Sequence, residues 1–161
     1  MPRFEDTFRC TVEEFWTLFL TEEFQRRLHL EGLGCSSYLV LERKPESWRV
    51  HVVPHDLPGA VRKVLGDGGY IEEGQRDGDL WRFEITPDTL GDRIHISGVV
   101  RLEERDGGAV RQAEITVTAS LQDGEVVRKA LETRLFRQQE RATTFTHEVV
   151  AEAMLSGEVL G

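Results

Sequence analysis

The stretch that decides the fold is DGEVVRKALETRLFRQQERATTFTHEVVAEAML, residues 123–155. Asp123 reads as a helix N-cap, and Glu125 complements the positive end of the helix dipole. Val127, Ala130, Leu131, Leu135, Gln138, Ala142, Phe145 and Val149 recur at three- and four-residue intervals and form one inward stripe. The segment therefore predicts a single helix from about Gly124 to Leu155. At 1.5 Å per residue it spans roughly 45 Å, longer than a small domain needs. A bend or fray is expected near Thr143-Thr144, where two β-branched residues weaken the helix.

Upstream of this helix the period is mostly two. Gly32-Leu33-Gly34, Gly66-Asp67-Gly68-Gly69, Asp77-Gly78-Asp79, Gly91-Asp92, Asp106-Gly107-Gly108 and Asp123-Gly124 punctuate the chain like successive hairpin turns. Phe4, Asp6, Phe8 and Cys10 share one face of an opening strand. Thr11 and Glu14 form a capping box for a short helix carrying Val12, Phe15, Trp16 and Phe19. Thr21 starts a second short helix with Phe24 and Leu28 inward, stopping at Gly32 or Gly34. Strands are expected over Ser36–Lys44, Ser47–Val53, Tyr70–Arg76, Leu80–Pro87, Ile94–Glu104 and Ala109–Leu121. The last three alternate clearly, as a half-buried antiparallel sheet does. Leu57–Leu65 reads as one short helix or a docked loop.

Composition narrows the function classes. The 161 residues imply one domain over 1–161. Acids number 29 and bases 20, for a net charge of −9. That opposes general nucleic-acid binding, which relies on Lys and Arg neutralising phosphates. It also opposes docking on an anionic membrane by charge alone. No transmembrane segment is expected, since no stretch nears the ~18 apolar residues a span needs, and no apolar leader opens the chain. Cys10 and Cys35 lack CxxC spacing and read as reduced, buried thiols of a cytoplasmic protein. The apolar content of 39% is modest. It fits a shell around a cavity as well as a thin core.

A curved sheet gripping a long helix encloses space wherever the facing side chains are small. Gly98, Ala113, Ala119, Ala130 and Ala142 all fall on expected inward positions, and Gln138 interrupts the apolar stripe. Small residues plus a few polar ones in an apolar wall are what a ligand pocket needs, though a filled core with Gln138 and Asp6 at its edge fits the same pattern. The candidate ligand-binding wall comprises Asp6 and Phe8, Trp81 and Phe83, Ile96 and Gly98, and Ala113, Ile115 and Val117. The helix adds Leu131, Arg134, Leu135, Gln138 and Ala142.

The order of elements resembles the helix-grip superfamily of START lipid-transfer domains, plant pollen allergens and polyketide cyclases. The carriers are Phe8-Arg9-Cys10-Thr11-Val12-Glu13-Glu14-Phe15-Trp16, Leu33-Gly34, and Leu57-Pro58-Gly59 with Val61 and Leu65. Trp81-Arg82-Phe83 with Ile96-Ser97-Gly98 complete them. Within the superfamily the chain is similar to bacterial START-like proteins of unknown function. The resemblance implies an α+β helix-grip fold: a curved antiparallel sheet of about seven strands around the C-terminal helix, with two short helices after the first strand. It implies binding of an apolar or amphipathic small molecule in a deep cavity, and no single reaction. A nuclear-transport-factor-like cone is the rival fold, but it lacks a long C-terminal helix.

Signals of catalysis are sparse. No P-loop, GxGxxG, HExxH or nucleophile elbow occurs, and neither cofactor nor metal is called for. His51 and His55 would lie about 13 Å apart along one strand, too far to share a metal. His95 is expected on the outer sheet face, and His147 beside the helix stripe. Asp6, if buried between Phe4 and Phe8, would hold its proton more tightly because desolvation disfavours the charge. The alternative is an edge carboxylate paired with a neighbouring arginine. Phe15, Trp16, Phe19 and Phe24 are either core packing or one wall of a pocket mouth, with Leu57–Leu65 as its lid. Residues 128–141 hold five bases (Arg128, Lys129, Arg134, Arg137, Arg141) against two acids (Glu132, Glu140), one basic stretch beside the expected pocket. Three functions follow as expectations: an apolar-ligand binder, a cyclase-like enzyme, or a protein-interaction module. A homodimer is compatible with each.

Overall fold

The computed structural model describes residues 3–155. The chain runs β1 (Arg3–Phe8), α1 (Val12–Phe19), α2 (Glu22–Arg27) with a π-helical turn (Leu28–Gly32), then β2 (Ser37–Lys44) and β3 (Ser47–Val53). After α3 (Gly59–Leu65) come β4 (Tyr70–Asp77), β5 (Leu80–Pro87), β6 (Ile94–Arg105), β7 (Gly108–Ala119) and α4 (Gly124–Leu155). The seven strands form one sheet in the order β1-β7-β6-β5-β4-β3-β2, antiparallel throughout. This is the expected helix-grip architecture.

Local chemistry explains the boundaries. The Thr11 side chain accepts from the Glu14 amide, and the Glu14 carboxylate accepts from the Thr11 amide, closing the capping box at α1. Thr21 Oγ1 caps α2 by accepting from the Phe24 amide. Between β6 and β7, Asp106 (φ 54°) and Gly107 (φ 78°) are both left-handed, the pattern of a type I′ hairpin turn that matches strand twist. The Leu57–Leu65 stretch is helical from Gly59.

Helix α4 does not fray at Thr143-Thr144. It runs unbroken, and the two threonine hydroxyls donate to the carbonyls of Gln139 (3.0 Å) and Glu140 (3.1 Å). Burial of Phe145 and Val149 further along holds this part of the helix in place.

Beside a smaller cluster that joins Phe24 of α2 to Phe145 and Val149 of α4, the core has two large lobes on the concave side of the sheet. One is aromatic: Phe8, Phe15, Trp16, Trp48 and Trp81 with Leu102 and Val150. The other is aliphatic: Val61, Leu65, Ile85, Ile94, Ile96, Ile115 and Val117 against Val127 and Leu131 of α4. No described helix is long and apolar enough to cross a membrane.

Candidate functional site

A cavity of about 210 Å³ lies between the concave sheet face and α4, and its wall draws on both core lobes. Of the candidate wall residues, Trp81 and Phe83 of β5, Ile96 of β6 and Ile115 of β7 line it. Leu131, Arg134, Leu135, Gln138 and Ala142 of α4 do so too. The other expected wall residues sit elsewhere. Phe8 is fully buried against Phe15 and His147, with ring centroids 5.2 and 4.9 Å away. Ala113 and Val117 are sealed in the core, Ala113 opposite Phe4 across the β1–β7 ladder.

Gly98 departs from expectation most instructively. It does point inward, but it leaves no space. The ring of Phe83, its cross-strand partner, covers it so closely that a Cβ would meet Phe83 Cζ at 2.3 Å. Gly74 is covered in the same way by the indole of Trp81. These glycines are seats for aromatic rings, and the rings in turn form the cavity wall.

Asp6 is likewise inward but does not line the cavity. Its cross-strand partner is Arg111, whose guanidinium Nη2 donates to Asp6 Oδ2 at 2.8 Å and to Thr143 Oγ1 at 2.9 Å. Gln139 Nε2 also donates to Asp6, at 3.3 Å. The paired-carboxylate alternative is therefore the one realised. Arg111 reaches the cavity wall in its place, stacked 5.1 Å over the Phe8 ring, and burial lowers its pKa against the pull of Asp6.

Among the wall residues that escaped the sequence reading are Tyr70, Glu72, His29 and Cys35. Tyr70 and Glu72 project from β4, and His29 and Cys35 come from the turn region before β2. Glu72 lies in register with Val50 on one side and Ile85 on the other, both buried. Burial pushes its carboxyl pKa up, and attraction to His29 offsets this only in part. Burial, then the nearby Glu72 carboxyl, also drives the Tyr70 phenol well above its ordinary value. Cys35 is pushed up to about 11, again by burial. Tyr70 and Glu72 retain some accessible surface despite this depth, and both line the cavity. A signal for Glu72 did exist. The two-residue turn at Gly78-Asp79 pairs Asp77 with Leu80, and counting back along both strands sets Glu72 opposite the inward Ile85.

Three wall residues also carry sealed polar atoms without hydrogen-bond partners among the described residues: Gln138 Oε1, Trp48 Nε1 and Arg111 Nε. Trp48 and Trp81 stand 4.3 Å apart, and Phe19 of α1 packs on both, so it belongs to the cavity wall while Phe15 and Trp16 belong to the core. At the α3 end, Arg134 donates to the Asp56 carbonyl, tying the loop before α3 to α4. The remaining histidines lie off the cavity wall. His51 Nε2 pairs with Asp88 at 2.7 Å on the outer face, His95 is exposed, and His55 is exposed beside Asp56.

Residues 3–152 match the family described as a protein of unknown function, DUF2505. The chain belongs to this family. No curated protein matches it. Among solved structures it is similar to the protein TTHA0849 from Thermus thermophilus, at TM-score 0.69 and 18% identity over 94% of this chain and 97% of that one. The Zhui aromatase/cyclase from a Streptomyces species gives 0.69 and 13%, covering 98% of each chain. A norcoclaurine synthase point mutant from Thalictrum flavum, in complex with a transition-state analogue, gives 0.68 and 13%, covering 95% of this chain and 94% of that one. At these identities the likeness establishes the helix-grip fold.

Proposed function

We propose that this DUF2505 protein binds a small apolar or amphipathic molecule between the concave sheet face and α4. The observation that carries this reading is the 210 Å³ cavity itself, whose largely apolar wall includes a few polar side chains. A few polar groups in an apolar wall orient a bound molecule, and Tyr70, Glu72 and Arg134 supply them here. The neighbours named an aromatase/cyclase and a norcoclaurine synthase support the reading by analogy of fold.

Size narrows the ligand. An apolar void of about 150 Å³ takes up benzene, whereas drug-sized ligands occupy roughly 300–1,000 Å³. A cavity of 210 Å³ thus suits one or two fused rings or a short chain bearing a polar group, and is too small for a two-chain lipid. Trp48 and Trp81 serve as internal reporters. Titration with naphthol-sized compounds should quench their fluorescence and raise the melting temperature, while a two-chain phospholipid should do neither. Absence of both effects across a panel of mono- and bicyclic compounds would refute the reading.

A further inference from the structure

The sequence directed attention to Asp6 as a proton-transfer carboxyl, and the structure gives Asp6 an arginine partner instead. Glu72 has none. Among the described residues its side chain makes no hydrogen bond and no salt bridge, and its strand register places it between Val50 of β3 and Ile85 of β5. A carboxyl so placed keeps its proton to higher pH than usual, because burial penalises the anion.

His29 shares the cavity wall with Glu72 and is coupled to it electrostatically. The ring is buried, packed 4.7 Å from the Tyr38 ring, and its Nδ1 lies 2.8 Å from the Gln25 carbonyl oxygen. A carbonyl oxygen can only accept, so Nδ1 carries the hydrogen. In the neutral ring Nε2 is then the basic nitrogen, and it has no partner among the described residues. The backbone carbonyl fixes both tautomer and orientation, the arrangement a general base requires.

We infer that His29 and Glu72 form a general base and general acid acting on one cavity-bound ligand, and that this ligand is a small apolar ketone with an acidic α-hydrogen. His29 Nε2 removes the α-hydrogen as a proton. The C–H electron pair becomes the enol double bond, and the carbonyl oxygen takes the proton of the Glu72 carboxyl. The products are an enol, an imidazolium and a carboxylate. The reverse transfers restore the ketone and both side chains, with no oxidant, metal or further reactant. In heavy water, exchange of the His29 proton with solvent between forward and reverse steps replaces α-hydrogen by deuterium. The apolar wall keeps the Glu72 carboxyl protonated, and a neutral carboxylic acid is the donor the carbonyl needs.

This inference rests on the binding reading above, and the experiment separates the two. β-Tetralone, a bicyclic ketone, is titrated by tryptophan fluorescence, and its α-deuteration in heavy water is followed by proton NMR at saturation. Wild type should bind it and exchange it faster than protein-free buffer. Glu72→Gln and His29→Gln should each keep binding within about threefold and lower the saturated exchange rate roughly 100-fold. Glu72→Asp, which keeps the acid on a shorter arm, should retain more exchange than Glu72→Gln and covers the case in which the amide variant misfolds. Binding without exchange above buffer, or exchange undiminished in folded Glu72→Gln or His29→Gln, overturns the acid–base assignment and leaves the binding reading standing. If neither β-tetralone nor the wider panel binds, the binding reading falls and the assignment falls with it.

Discussion

Replacing Gly98 by alanine should shrink the cavity from the sheet side. A Cβ at this position would lie 2.3 Å from Phe83 Cζ, 2.5 Å from Cε1 and 3.1 Å from the Glu114 carbonyl oxygen. Carbon atoms in contact sit about 3.5–4.0 Å apart, so the ring must retreat by more than about 1 Å. The Glu114 oxygen belongs to the β6–β7 ladder and cannot yield. Phe83 borders the cavity, so the open direction for its ring is into it. Overpacking a filled core costs about 1–3 kcal/mol, and an adjacent void places this case in the lower half, about 1–2 kcal/mol. At roughly 2–4 °C per kcal/mol for a chain of this size, the melting temperature should fall by about 2–8 °C. Affinity for a bicyclic ligand should fall as well, because the displaced ring takes its space. Calorimetry and a tryptophan-fluorescence titration measure the two effects. Phe83→Leu in the same background should recover most of the loss, a non-additivity expected of touching residues. Unchanged stability and unchanged affinity in Gly98→Ala would refute the claim that the Phe83 ring is seated on this glycine.

Other perturbations probe other parts of the molecule. Asp6→Asn leaves the buried Arg111 guanidinium without its anion. It should cost about 2–3 kcal/mol in urea unfolding, below the 3–5 of a fully sealed pair because Asp6 retains some exposure; a loss under about 0.5 kcal/mol would mean the pair does not matter. Thr11→Ala removes the α1 cap and should cost about 1 kcal/mol by the same assay. Cys10 and Cys35 both have thiol pKa values pushed up to about 11 by burial, so a disulfide reagent at mildly alkaline pH should modify them only at the rate of local opening; fast labelling of the folded protein contradicts their burial. Glu72 binds its proton more tightly when folded than when unfolded, so its contribution to stability is complete below the ordinary carboxylate range and is lost as pH rises through its raised value. Glu72→Gln should therefore gain on wild type as pH rises from the ordinary carboxylate value, and parallel stability curves would exclude a raised pKa.

The strand order and the wall contributed by α4 were legible because both depend on periodicity. Residues 131, 135, 138 and 142 face the cavity because helical spacing leaves them no other direction. Gly98 misled because residue size was read as space, whereas space depends on the neighbour across the ladder, and that neighbour is Phe83. Glu72 was missed for a related reason. β4 reads Tyr-Ile-Glu-Glu-Gly-Gln-Arg-Asp, in which no apolar alternation marks the inner face. Only the register carried in from the β4–β5 turn assigns a side to each residue.

The two inward carboxylates show how pairing, more than direction, decides what such a group can do. Asp6 and Glu72 both project from the concave face of one sheet. Asp6 stands opposite Arg111, so its charge is met by a buried guanidinium and its role is to hold β1 to β7 and, through Gln139, to α4. Glu72 stands between Val50 and Ile85, which offer nothing to an anion, and His29 favours its ionisation only against the larger effect of burial. An inward acid with a cation opposite stays charged and structural, whereas one with aliphatic partners holds its proton and can deliver it. The contrast can be inverted at a single position. Ile85→Arg would place a guanidinium beside Glu72, as Arg111 stands beside Asp6. It should pull the Glu72 pKa down, and α-deuteration of β-tetralone should then fail for want of a proton donor. Exchange surviving in a folded Ile85→Arg variant would show that the proton comes from another group.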